Sequence, residues 1–151
     1  MALNEQIQND MKAALLGGDR FVGEVLRNLK AAILNEEVAS GKRETGLDDE
    51  AIEKIITREV KKRNESASMY DENGRPELAE NERKEAAVLA TYLPQQLSED
   101  EIREIAKTVI EAMDNVGPSL MGQVIGGVKA KVGSAADGAT VARVVKELLN
   151  S

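Results

Sequence analysis

With 151 residues, of which 42% are hydrophobic and 31% charged, the chain has a globular composition and the length of one ordinary domain or two small ones. It contains neither Cys nor His, which removes disulfides, thiolate nucleophiles, Cys/His zinc sites and histidine general bases together. A net charge of −7 argues against avid nonspecific binding to nucleic acid, and Phe21, Tyr70 and Tyr92 as the whole aromatic complement point to an aliphatic helical core, not a β-sandwich.

Helical periodicity runs almost from end to end. Leu3, Ile7, Met11 and Leu15 step by four, and Gly17-Gly18 then stops the first helix. Asp19 is placed to cap a second helix with the stripe Val22, Val25, Leu26, Leu29 and Ile33, closed by Ser40-Gly41. Asp48, between Leu47 and Ile52, starts a third helix carrying Ile52, Ile56, Val60, Ala67 and Tyr70 as far as Asn73-Gly74. Pro76 suits the first turn of a fourth, with Leu78, Glu82, Ala86, Leu89 and Leu93 expected on its inner face. After Pro94, Ser98-Glu99-Asp100-Glu101 reads as a capping box for a fifth helix bearing Ile102, Ile105, Val109, Ile110 and Met113. Gly117-Pro118 separates it from a sixth with Leu120, Val124, Val128 and Val132. After Gly133, Asp137 is expected to cap a seventh with Val141, Val144, Val145 and Leu148.

The pattern predicts an all-α fold: a four-helix N-terminal domain with one long helix over residues 1–93, then a small three-helix tail domain over residues 94–151. The first six residues, Met1-Ala2-Leu3-Asn4-Glu5-Gln6, lack the basic and apolar stretches of a secretory signal. No apolar run approaches the ~20 residues of a membrane span, so the cytoplasm is the expected compartment.

Two basic clusters stand out. On the third helix, Lys61, Lys62 and Arg63 read either as a face for a partner or as a solvated surface with i,i+4 pairs such as Lys61–Glu65; charge alone favours the latter. In the tail, Lys129 and Lys131 end the sixth helix, and Arg143 and Lys146 share a face of the seventh. Cations near a helix C-terminus also answer the helix dipole. The tail carries 6 Lys/Arg against 8 Asp/Glu, nearer neutrality than the preceding 93 residues with 14 against 19. Gly122, Gly126 and Gly127 each cost up to ~1 kcal/mol inside a helix, so they call for close helix packing or the close approach of a ligand backbone. No strand precedes them and no Gly-Lys-Ser/Thr follows, so they are not a phosphate-binding loop. No carboxylate stands isolated in an apolar run, and no catalytic, cofactor-binding or metal-ligating residue is expected.

The chain resembles the GatB/YqeY family, which shares its helical domains with the C-terminal region of the GatB component of the aspartyl/glutamyl-tRNA amidotransferase. The landmarks are Val25-Leu26-Arg27-Asn28-Leu29-Lys30, Lys61-Lys62-Arg63-Asn64-Glu65-Ser66, Gly74-Arg75 with Leu78-Ala79 and Glu82, Tyr92-Leu93-Pro94-Gln95-Gln96-Leu97-Ser98 with Glu101-Ile102, Met121-Gly122-Gln123-Val124, and Asp137-Gly138. The resemblance implies that the tail contacts tRNA, through Gly122, Gln123, Lys129, Lys131 and the Asp137-Gly138 turn, with Arg143 and Lys146 nearby. In the amidotransferase, phosphorylation and amidation belong to other domains. Carbon–nitrogen ligase activity with glutamine as amido donor would therefore attach to this chain by family alone. Gln123 stands where the family usually has Lys, and Gly133-Ser134-Ala135-Ala136 lacks the Arg that often follows that glycine; both remove positive charge. The expected function is that of a non-catalytic, tRNA-interacting accessory protein. The alternative is a protein–protein interaction module presenting Lys61, Lys62 and Arg63.

Overall fold

The computed structural model describes residues 2–114 and 117–150, and every regular element among them is helical. The helices are α1 (Leu3–Leu16), α2 (Arg20–Ala39), α3 (Asp49–Glu72), α4 (Pro76–Ala90), α5 (Glu99–Glu111), α6 (Met121–Val132) and α7 (Gly138–Leu149), with short 3-10 turns at Pro118–Leu120 and Gly133–Ala135. The chain divides into two compact units, Met1–Leu93 and Pro94–Ser151.

Local chemistry sets most of these ends. Asp19 and Asp48 accept hydrogen bonds from the amides of Val22 and Ala51, giving α2 and α3 the caps expected of them. Ser98 and Glu101 form the full reciprocal capping box of α5. Gly41 and Gly74 take φ values of +71° and +72° beyond α2 and α3, where a Cβ would be strained. Asp137 departs from expectation. It occupies the N-cap position of α7, but its carboxylate accepts no backbone amide and lies 3.5 Å from the Thr140 hydroxyl.

In the first unit α1 runs along α2, α3 runs along α4, and α2 meets both members of the second pair. Ile7, Val25, Leu26, Leu29, Ile33, Ile52, Ile56 and Leu89 are fully buried at the centre. Further along α3 and α4 the buried residues are alanines, Ala67, Ala79 and Ala86, whose small side chains let two helices approach closely. Along α4 the expected Ala86 and Leu89 are buried, and the departure is at the first turn, where Ala79 is buried and Leu78 is 38% exposed. Side-chain hydrogen bonds also tie α1 to the rest of the unit: the Leu3 amide donates to Asp49 Oδ1 at 3.0 Å, and the Tyr92 hydroxyl, just beyond α4, donates to Asp10 Oδ2 at 2.6 Å. Burial and the hydrogen bond to Asp10 push the Tyr92 hydroxyl pKa upwards.

The second unit is a three-helix cluster around Ile102, Ala106, Val109, Val124, Val128, Val141, Val144 and Val145. Its leading segment is fastened to the α6–α7 connection: the Leu97 amide donates to the Ala135 carbonyl at 2.8 Å, and Gln96 Nε2 donates to the Ser134 carbonyl at 3.0 Å. Among the described residues, no helix is long and apolar enough to cross a membrane.

Candidate nucleic-acid interface

Each side of α6 has a distinct neighbour. A Cβ built on Gly127 would meet Val109 Cγ1 at 3.0 Å, so this glycine lets α6 close on α5. A Cβ on Gly122 or on Gly126 would meet nothing within 4 Å, and both residues are exposed. At about 100° per residue, Gly122, Gly126 and Lys129 fall within one sector roughly 60° wide, with Gln123 beside it. The sequence groups the glycines together; the structure separates them into one that packs and two that leave backbone open to solvent.

The tail cations are likewise separated. Two residues apart on a helix means about 200° around the axis, so Lys129 and Lys131 point to opposite sides of α6. Lys129 reaches across to α7, where a Cβ on Gly138 would lie 3.4 Å from both its Cε and its Nζ. Arg143 is ion-paired across helices with Glu99 and along α7 with Glu147 at 3.6 Å; hydrogen bonding to Glu99, then the charges around it, raise its pKa further. Arg103 joins the same network through Glu147 at 3.1 Å and Asp100 at 3.3 Å. Lys146 is exposed, and neither it nor Lys129 nor Lys131 is ion-paired among the described residues. The structure thus places Gly122, Gln123, Gly126 and Lys129 together, sends Lys131 to the other side, and commits Arg143 to carboxylates. The Arg143–Glu147 half of that network is readable as an i,i+4 pair, whereas Glu99 is brought in only by the packing of α5 on α7.

On α3, Lys61 and Lys62 are exposed, with Lys62 4.0 Å from Glu59. Lys61 makes no ion pair with Glu65; the partners form around Arg63 instead. That side chain is only 14% exposed and lies between α3 and α4, with Nη1 2.9 Å from Glu59 Oε2 and Nε 3.8 Å from Glu85 Oε2. Glu82 completes the group. Desolvation, then the nearby Glu85 charge, push its pKa up against the lowering effect of Arg63.

A family model described as Yqey-like protein matches residues 4–149. The chain belongs to the YqeY-like family. This is the family related to the C-terminal region of the amidotransferase component GatB. Similar curated proteins bear the name altered inheritance of mitochondria protein 41, mitochondrial. The one from Vanderwaltozyma polyspora is 30% identical over 58% of this chain and 46% of its own length. The Eremothecium gossypii protein is 32% identical over 58% of this chain and 46% of its own. The Pyrenophora tritici-repentis protein is 26% identical over 97% of this chain and 80% of its own. The chain thus spans about half the length of the first two of these relatives. The mitochondrial location in their names is theirs, and it stands beside the cytoplasm expected for this YqeY-like chain.

Proposed function

We propose that this YqeY-like chain is a non-catalytic accessory protein whose tail contacts the phosphate backbone of tRNA. The open glycine face of α6 carries the reading: Gly122 and Gly126 expose helix backbone to close approach, and the adjacent Lys129 carries a positive charge with no ion-pair partner among the described residues. Contacts of this kind position a nucleic acid without reading its bases. Arg143 is occupied by Glu99 and Glu147, and Gln123 brings no charge, so the surface supports only a few phosphate contacts. Weak binding with a shallow salt dependence follows.

The test is a titration of tRNA against the full chain at several salt concentrations. Saturable binding at low salt is expected, weakening with added salt. Lys129→Glu should weaken it, and should lower the slope of log affinity on log salt by about one. Lys131→Glu, on the other side of α6, should do less. No binding at low salt, or a Lys129→Glu variant that binds as the parent does, overturns the reading.

The second reading, a protein-interaction module, draws on α3. Met69 is 62% exposed and, seven residues from Lys62, lies on the same side of the helix. An apolar residue beside a cation suits a protein partner better than a phosphate backbone. A stoichiometric protein partner that survives nuclease treatment and is lost on Met69→Asp would favour it.

A further inference from the structure

Glu37 is the one buried charged residue among the described residues. Its side chain is 9% exposed, and the ion pair it makes is with Arg43 at 3.9 Å, beyond hydrogen-bonding distance, while Arg43 itself is 67% exposed. The buried side-chain nitrogen or oxygen without a hydrogen-bond partner among the described residues is Arg63 Nε, not a Glu37 oxygen, so the Glu37 carboxylate keeps its acceptor capacity open towards solvent. Glu37 lines a cavity of about 470 Å³ between α2 and the α2–α3 connection, within the size range of small-molecule sites. Seven residues earlier on α2, two turns away and on the same face, Lys30 lines the same cavity roughly 10 Å along the helix axis. Its ammonium donates to Asn4 Oδ1 at 2.8 Å and is ion-paired with no carboxylate among the described residues. Leu34, 40% exposed, lies between the two and offers an aliphatic wall.

We propose that this cavity binds a small zwitterion, its ammonium on Glu37, its carboxylate on Lys30 and its aliphatic middle against Leu34. The lining carries two cations, Lys30 and Arg43, and two carboxylates, Glu37 and Glu44, so neither a simple anion nor a simple cation matches it. The two-turn spacing selects a ligand with separated charges, an ω-amino acid and not a short α-amino acid. The site lies in the first unit and is independent of any RNA contact by the tail.

The full chain should be titrated with 6-aminohexanoate, following backbone amide shifts, with hexylamine and hexanoate as half-ligands. Saturable binding is expected, with shifts gathered over residues 30–46, and each half-ligand should bind about tenfold or more weakly. Glu37→Gln, nearly isosteric, should weaken the zwitterion at least about tenfold. Arg43→Gln removes the competing cation and should leave binding equal or tighter. Lys30→Gln should weaken 6-aminohexanoate but not hexylamine. The opposite effects of Glu37→Gln and Arg43→Gln separate a ligand site from a structural ion pair, which would respond alike to loss of either member. No saturable binding to the folded parent overturns the proposal, as does equal loss in both variants. Hexylamine binding as tightly as the zwitterion overturns it as well.

Discussion

At Gly126 a helix interior carries the least helix-favouring residue short of proline, in space that a methyl group would not crowd. Gly126→Ala should therefore stabilise the tail by about 0.5–1 kcal/mol in urea denaturation, and on the RNA reading it should also weaken tRNA binding. Gly127→Ala tests the opposite case. Its Cβ would press on Val109 Cγ1 at 3.0 Å, and Val109 is buried with a stiff β-branched side chain, so the helix-propensity gain should be lost to strain and the variant should be less stable than the parent. Nothing in the run Gly-Gln-Val-Ile-Gly-Gly distinguishes these residues along the chain. The distinction arises because α5 lies on one side of α6 and solvent on another.

The elements with strong local signals were legible residue by residue. The Ser98–Glu101 box is the clearest, and Ser98→Ala should cost about 1 kcal/mol of tail stability, read from a thermal or urea melt. The α3–α4 pair behaves differently. Its inner face falls on Ala79 where an apolar count favours Leu78, because close packing of two helices rewards the small residue. Arg63, an apparent surface cation, is drawn inward by Glu59 and Glu85. Glu82 beside them holds its proton more tightly in the folded chain than an ordinary carboxyl does. The native state then binds more protons than the unfolded state as pH rises through the ordinary carboxylate range and somewhat above it, so ionisation of Glu82 subtracts stability over that window. Glu82→Gln should remove this loss: its stability relative to the parent should be greater at neutral pH than in acid, measured by denaturation across pH.

On the scale of the whole molecule, the chain is two helical units with separate apolar clusters, one centred on Ile7, Leu26, Ile52 and Ile56 and the other on the valines of α6 and α7. A fragment of residues 94–151 should accordingly remain helical and melt cooperatively by circular dichroism, at the modest stability of a unit this small. A non-cooperative, largely unfolded fragment would show that the valine cluster is insufficient on its own. The all-α class, the seven helices, most of their caps and the family membership followed from the sequence, since capping, glycine stops and the 3.6-residue period act over a few neighbours and are written in consecutive residues. Tertiary structure alone decided which charges remain available and which backbone lies open. Arg143 and Arg63 look alike to any local reading, yet one is held by Glu99 from another helix and the other sits between α3 and α4. Pairing of this kind depends on residues tens of positions apart, and only the packed helices bring them within a few ångströms of one another.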